Sequence, residues 1–273
     1  MRFGSYQGFL TSLPVREKYE HSDLLVSDLL IAEEGRLRIF YAPFDWANPN
    51  ARVIILGITP GWTQMEIACR EARAVLSSGG SAEDVCRLAK EHASFAGSMR
   101  VNLVRMLDAL DLPRLFGIQS SSDLFGVARP LLHTASAIRY PVLVGTRNYT
   151  GTNPRPAKSP FLMRFAREVL APELESVPKA AIVPLGKSVE EILVALAAEK
   201  RIRPGRWLSG FPHPSGANGH RVRLFNENRA SLSGQLRTIL GATNPAAQPR
   251  AQPERQTAAL FGSRRACRAS APG

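Results

Sequence analysis

The chain has 273 residues, of which 44% are hydrophobic, and it carries a formal net charge of +12. Its length leaves room for one large domain with an extension. No apolar stretch is long enough to span a membrane and no signal pattern opens the chain, so we expect a cytoplasmic protein without a membrane partner. The three cysteines, Cys69, Cys86 and Cys267, are scattered. Their spacing argues against a disulfide scaffold or a metal cluster, and we expect neither metal nor cofactor.

The positive charge favours a polyanionic partner. The sequence pI is near 10.3, a value typical of nucleic-acid-binding proteins. Residues 242–273 contain five arginines and one glutamate, so most of the excess belongs to residues 1–241. We therefore expect a polyanionic partner that is bound through phosphate contacts, with an affinity that depends on salt. The alternative is that the charge reflects a GC-rich genome, which favours arginine.

A buried strand and the turn behind it organise the first part of the chain. Residues 22–32 place leucines at helical spacing and predict a helix, and residues 36–41 alternate like a strand. The apolar run from Val53 to Leu56 then stops at Gly57, which is typical of a buried parallel strand. Open α/β sheets bind their ligands at the carboxyl ends of such strands.

Helices and strands alternate downstream. The predicted helices share apolar residues at helical spacing and start at Thr63, after Ser81, near Met99, at Ser159, at Ser188 and at Asn226 or Asn228. The first of them begins with the spacing of a capping box, Thr63 to Glu66. The predicted strands share apolar runs bounded by turn residues and occupy 131–140, 180–185 and 207–211. Residues 145–159 hold many breakers and predict a long loop.

This alternation predicts an α/β fold with three layers, α/β/α, around a short, mainly parallel sheet of four strands. Residues 1–241 form the single predicted domain, with a core from about 50 to 240. Beyond Gly241 the composition changes to proline, alanine, glutamine and arginine with little apolar periodicity. Such a segment buries too little surface to offset chain entropy, so residues 242–273 are predicted to be a disordered basic tail.

A polar loop at residues 211–219 is the second segment that points to function. It contains two prolines, two glycines, His213, Ser215 and Asn218, and is too polar for a core. Prolines on both sides of His213 restrict the backbone, which favours a histidine held in one place. An ordinary surface loop is the alternative.

Two motifs resemble those of a known family. Gly-Ile-Thr-Pro-Gly at residues 57–61 resembles the first motif of the uracil-DNA glycosylase superfamily, and His-Pro-Ser at residues 213–215 resembles its second. Residues 183–187 resemble the third core strand and the following helix start. The order and separation of the segments also match, and the resemblance covers roughly residues 50–240. With three cysteines, the chain resembles a branch without the iron–sulfur cluster.

The resemblance implies hydrolysis of the N-glycosidic bond of a flipped, damaged base such as uracil in base-excision repair, on single- or double-stranded DNA. His213 takes the place of the histidine that donates to the base O2 as negative charge develops. Thr59 takes the place of the aspartate or asparagine that positions water. A hydroxyl cannot act as a general base at neutral pH, and such help is worth roughly 10²–10⁴ in rate. Asp45 and Glu66 are candidate substitutes.

Further candidate base- and DNA-binding positions lie in the two motifs, beside them or, for two residues, between them: Gly57, Ile58, Pro60, Gly61, Trp62, Phe95, Ser136, Pro214, Ser215, Gly216, Asn218 and Arg221. Gly61 stands where some branches carry a tyrosine that excludes thymine, so we expect a wider set of bases. Ser136, or Thr134 in another alignment, replaces an asparagine that reads the base edge. Phe95 is the candidate for stacking on the flipped base, with a core position as its alternative.

Three hypotheses therefore follow from the sequence. The first is a DNA glycosylase. The second is a non-catalytic nucleic-acid or nucleotide binder with the same fold, in which Thr59 marks the loss of the water activator. The third is an unrelated α/β protein whose loops resemble the two motifs by chance.

Overall fold

The structure is a computed structural model, and it describes residues 2–95 and 97–242. Strands are β1 (Leu30–Glu34), β2 (Leu37–Phe40), β3 (Val53–Gly57), β4 (Leu132–Ser136), β5 (Val142–Val144), β6 (Arg147–Asn148) and β7 (Ala181–Pro184). Helices are α1 (Phe3–Ser12), α2 (His21–Leu24), α3 (Trp62–Ser77), α4 (Ala82–His92), α5 (Gly97–Ala109), α6 (Leu112–Phe116), α7 (Pro160–Phe165), α8 (Ala171–Glu175), α9 (Lys187–Ala198) and α10 (Arg221–Ala242). The predicted tail falls on residues 243–273, outside the described residues, apart from Ala242, which ends α10.

A parallel sheet lies at the centre, with the strand order β4-β3-β7. The register pairs Gly57 with Ser136 at the carboxyl end of β3. A fourth segment approaches β7, where Trp207 forms a single parallel bridge with Ile182. The prediction of a fourth parallel strand at 207–211 is therefore wrong for the described chain. The backbone turns away at Gly210, where φ is +82°, and a proline follows at 212, which has no N–H for the ladder.

A second, antiparallel sheet has the order β1-β2-β5-β6. It confirms the predicted strand at 36–41 but corrects the predicted helix at 22–32. That segment forms the short helix α2 and then strand β1, which pairs with β2 through a turn at Gly35, where φ is +57°. Leucines at helical spacing are only a weak signal, and hairpin pairing of β1 with the neighbouring strand β2 overrides it.

Apolar helices cover both faces of the parallel sheet because the side chains of β3 alternate between them. Val53 and Ile55 face a buried cluster that includes residues of α5 and α10. Ile54 and Leu56 face another that includes residues of α7 and α9. A third cluster joins α1, α3 and α4 to the antiparallel sheet. The chain is thus a mixed α/β protein, and no helix of the described part is both long and apolar enough to cross a membrane.

Helix starts differ from several predicted caps. Ser81 caps α4 as predicted, since its hydroxyl accepts from the N–H of Asp84 at 3.1 Å. Helix α3 instead begins at Trp62, and the predicted Thr63–Glu66 box is wrong because Gln64 accepts from the N–H of Gly61 at 3.0 Å.

Two other starts are also corrected. Helix α9 begins at Lys187 after Gly186, not at Ser188. Helix α10 begins at Arg221, ahead of Asn226 and Asn228. In both places the loop ends before the predicted cap. Ser188 therefore lies within α9, and Asn226 and Asn228 lie within α10.

Candidate functional site

A small, partly open cleft lies at the carboxyl edge of the parallel sheet. It lies beside the ends of β3 and β4 and is covered by residues from α3, α4 and the segment after α4. Its lining combines aromatic, hydroxyl and cationic side chains: Phe44, Pro60, Gln64, Lys90, Ala93, Ser94, Phe95, Thr134, Ala135, Ser136 and Arg139. Open parallel sheets bind ligands at this edge.

Three residues chosen from separate parts of the sequence meet here. A Cβ added at Gly57 would lie 3.7 Å from the Phe95 ring and 3.8 Å from the Ser136 hydroxyl oxygen. Ser136 also lies opposite Gly57 in the strand register. Thr134, the alternative position, lines the same cleft, but its hydroxyl pairs with that of Ser94 at 2.8 Å. Ser136 is therefore the better placed of the two to contact a ligand.

Thr59 is held by the fold. Its hydroxyl donates to the carbonyl oxygen of Tyr140 at 2.9 Å and accepts from the N–H of Val142 at 3.1 Å. A hydroxyl has one proton and two lone pairs, so its donor is committed and one lone pair remains. The turn after β3 is thereby tied to the start of β5.

The other residues of the first motif divide between the cleft and the core. Pro60 lines the cleft, whereas Ile58, Gly61 and Trp62 do not. A Cβ at Gly61 would lie 3.1 Å from the side-chain nitrogen of Asn148. The space that we expected to admit larger bases is therefore occupied.

Ile58 and Trp62 pack elsewhere. Ile58 packs beside Gly151, where an added Cβ would meet its side chain at 3.1 Å. The indole of Trp62 packs on His21 with ring centroids 4.0 Å apart. Both side chains also border the cluster that joins α3 to the antiparallel sheet, so Trp62 packs against this cluster and does not line the cleft.

His213 is held in one tautomer. The N–H of Ser215 donates to its Nδ1 at 3.1 Å, so the neutral ring carries its proton on Nε2, which is a donor. Burial lowers the pKa of His213, which favours the neutral ring. Its backbone rests against Gly186, where an added Cβ would come within 3.0 Å of the His213 Cβ.

The rest of the second loop is fastened by polar side chains. Asn218 donates to the carbonyl oxygen of His213 at 3.2 Å, and Asn102 of α5 donates to that of Pro214 at 3.0 Å. The guanidinium of Arg221 donates to the carbonyl oxygen of Ser215 at 2.6 Å. Gly216, which follows Ser215 in the loop, is exposed. Arg221 thus supports the loop through part of its guanidinium.

The two motifs border different clefts. His213 and Asn218 line a second groove between α9 and α10, and His213 is not among the described residues that line the first cleft. The groove and the cleft lie at the ends of neighbouring strands, since Leu185 donates to the carbonyl oxygen of Leu56 at 2.8 Å just before Gly186.

Sequence reasoning missed a buried ionic cluster behind the first cleft. Glu173 accepts from Lys90 at 2.7 Å, from Arg139 at 2.9 Å and lies 2.9 Å from His133 Nε2. Burial acts to raise the pKa of Glu173, but Lys90 and Arg139 hold it well below its usual range. Burial, and next the charge of Lys90, lower the pKa of His133 to about 4.

Asp45 completes this cluster. It accepts from the hydroxyls of Tyr41 at 2.8 Å and Tyr140 at 2.7 Å, and Arg139 lies 3.4 Å away. It is buried and does not line the cleft. Glu66, the other carboxylate considered as a base, is also buried and accepts from the N–H of Tyr19 at 3.2 Å. Neither carboxylate is placed to activate water in the cleft.

The described residues include no group of three or more histidine, cysteine, aspartate or glutamate side chains arranged to hold a metal ion. The functional groups that line the cleft include the aromatic rings of Phe44 and Phe95, hydroxyl groups, and the cations Lys90 and Arg139. Such a lining can stack on a planar ring and donate hydrogen bonds to its acceptor atoms.

The chain is 41% identical to the uncharacterized protein YoxB of Bacillus subtilis (strain 168) over 231 residues, which cover 84% of this chain and 90% of YoxB. The chain therefore belongs to the YoxB family. No protein-family model matches it. No solved structure matches it either.

Proposed function

We propose that this chain is a DNA-binding protein with the three-layer fold of the uracil-DNA glycosylase superfamily, and that its first cleft receives a base extruded from DNA. The observation that carries the proposal is the meeting of Gly57, Phe95 and Ser136 at one edge of the parallel sheet. The resemblance assigns Gly57 and Ser136 to a base pocket, and Phe95 is the candidate for stacking on the base. The parallel order β4-β3-β7, with the Trp207 segment next, supports the same fold.

The first candidate reaction is hydrolysis of the N-glycosidic bond. The base would stack on Phe95 while Ser136 contacts its edge. The bond between the sugar carbon and the base nitrogen breaks, a water oxygen adds to the sugar carbon, and the base leaves with the electron pair and then takes a proton. Donation from Nε2 of His213 to a base oxygen would stabilise the developing negative charge, as in the family. This requires the second loop to close toward the first cleft.

Binding without cleavage is the second candidate. It is favoured by the hydroxyl of Thr59, whose donor is committed to Tyr140, and by the cleft lining, which contains no carboxylate among the described residues. Loss of a general base costs roughly 10²–10⁴ in rate. A protein of this kind would recognise the damaged base and hold it.

The net charge of +12 supports DNA as the partner, and we place the protein in the cytoplasm, on the nucleoid when DNA-bound. Affinity that falls steeply with salt concentration is the expected signature. A chain ending at Gly241 would test the basic segment beyond it, because unchanged DNA affinity would exclude a role for that segment.

The deciding experiment uses labelled single- and double-stranded DNA that carries uracil, hypoxanthine or hydroxymethyluracil. Strand scission after alkali reports base release, and competition with undamaged DNA reports selective binding. His213→Ala is compared with His92→Ala, which alters an exposed histidine. Release that needs His213 would support the glycosylase, and selective binding without release would support the binder. If wild type neither releases nor selects any of the three bases, both candidates are wrong.

A further inference from the structure

The cations of the buried cluster face the first cleft, and the anions lie behind them. Lys90 and Arg139 both line the cleft. Their partners, Glu173 and Asp45, have side chains that are 0% and 1% exposed and are not among the lining residues. A ligand in the cleft therefore meets the positive side of these ion pairs.

Two further arginines surround the same end of the cleft. Arg100 donates to the carbonyl oxygens of Ser94 and Phe95. Arg129 donates to the Ser94 hydroxyl at 3.4 Å, and its buried Nη1 has no hydrogen-bond partner in the described chain. Burial lowers the pKa of Arg129 and the charge of Glu91 acts in the opposite direction, but Glu91 also pairs with Arg87 at 3.6 Å. Positive charge is thus in excess here.

The free polar groups of the lining are mainly donors. Lys90 has three protons and uses Nζ for Glu173 and for the carbonyl oxygen of Trp46, both at 2.7 Å, which leaves one. The hydroxyls of Ser94 and Thr134 bond to each other. Phe44 and Phe95 supply the flat apolar surfaces. The cleft thus offers donors and positive charge to a planar ring.

We propose that the first cleft selects a planar base that carries a negatively charged oxygen substituent, such as a carboxylate, and that Lys90 and Arg139 receive this charge. This inference rests on the proposed function, since it names the class of base that the cleft takes. At this degree of burial an anionic oxygen near a lysine is attracted far more strongly than a neutral one of the same shape.

The test compares two free bases of nearly identical shape, uracil-5-carboxylate and uracil-5-carboxamide, by titration calorimetry with the full chain. The wild type is expected to bind the carboxylate at least about tenfold more tightly, by analogy with close charge pairs in partly buried sites. Lys90→Met is expected to remove most of that preference. Lys179→Met is the matched control, because this exposed lysine precedes β7 at the opposite edge of the sheet.

The wild-type comparison decides the proposal even if Lys90→Met does not fold. Equal or weaker binding of the carboxylate would overturn it, as would the same loss of preference in Lys179→Met. Displacement of the carboxylate by an equal concentration of inorganic phosphate would also overturn it, since the cleft would then take any small anion. Failure to select damaged DNA together with a retained carboxylate preference would refute the proposed function and leave the charge selection supported.

Discussion

The hydroxyl of Thr59 donates to the carbonyl oxygen of Tyr140 at 2.9 Å, across 81 positions of sequence. The hydroxyl oxygen of Thr59 also accepts from the N–H of Val142 at 3.1 Å. Thr59, which the sequence suggested as a water-positioning residue, thus joins the turn after β3 to the antiparallel sheet. This bond gives Thr59 a structural role at the turn after β3.

Replacing Thr59 by valine should therefore act on stability. The substitution keeps the shape of the side chain but leaves two backbone groups without partners, which costs about 1–3 kcal/mol in the free energy of unfolding. Thr59→Ser retains the hydroxyl and should lose much less. Urea denaturation of both variants measures the difference, and equal losses would show that the hydroxyl contributes nothing.

Removing the charge of Glu173 should be far more damaging than removing a similar charge at the surface. Glu173→Gln leaves Lys90 in the interior without its salt-bridge partner and Arg139 with only Asp45, at 3.4 Å, and breaking a buried pair in this way costs about 3–5 kcal/mol. Glu199 also pairs with an arginine, Arg167 at 2.8 Å, but both side chains are 34% exposed. Glu199→Gln should leave thermal stability nearly unchanged. Comparable losses in the two variants would contradict the role given to burial.

Stability should fall as the pH falls from about 6.5 to about 4.5, partly because of His133. Its pKa is lowered to about 4 from an ordinary value of 6.5. Between these values the unfolded chain binds a proton that the folded chain does not, so acid favours unfolding, by about 2–3 kcal/mol over this range. Glu173, with its lowered pKa, adds a loss of the same sign at lower pH.

The variant His133→Gln isolates this effect. Its free energy of unfolding should change less between pH 6.5 and 4.5 than that of the wild type, even if the variant is less stable throughout. His220→Gln, at an exposed histidine, should keep the wild-type slope. An unchanged slope in His133→Gln would mean that this histidine is not held neutral.

Gly186 should be needed to seat His213. Its φ is +90°, and an added Cβ would lie 3.0 Å from the Cβ of His213. Gly186→Ala should lower both thermal stability and selective DNA binding. Gly205→Ala is the matched control, since its φ is +77° with nothing within 4 Å of the added atom. Both variants carry the strain of a positive φ, so only the difference between them reports the contact with His213.

Local sequence patterns predicted many of the strands and helices correctly. The parallel strands β3, β4 and β7 were found because buried strands read as uninterrupted apolar runs, and Ser81 was found as a cap because its hydroxyl acts within its own helix. The helix expected at 22–32 was wrong because α2 ends at Leu24 and the chain pairs with β2 from Leu30 onward, which helical spacing alone does not reveal. Gly57 and Ser136 meet because each stands at the end of a parallel strand, whereas Phe95 reaches them from the segment after α4.

The sequence by itself determined the mixed α/β class, the edge of the sheet where the cleft opens and the net charge, since each depends on composition or on short periodic patterns. Only the tertiary structure decided which polar groups meet. Lys90, His133 and Glu173 lie on α4, β4 and α8, up to 83 positions apart, yet share one carboxylate. Long-range pairing of this kind leaves no local signal in the sequence, because each of these buried polar groups is paired only with partners that folding brings to it.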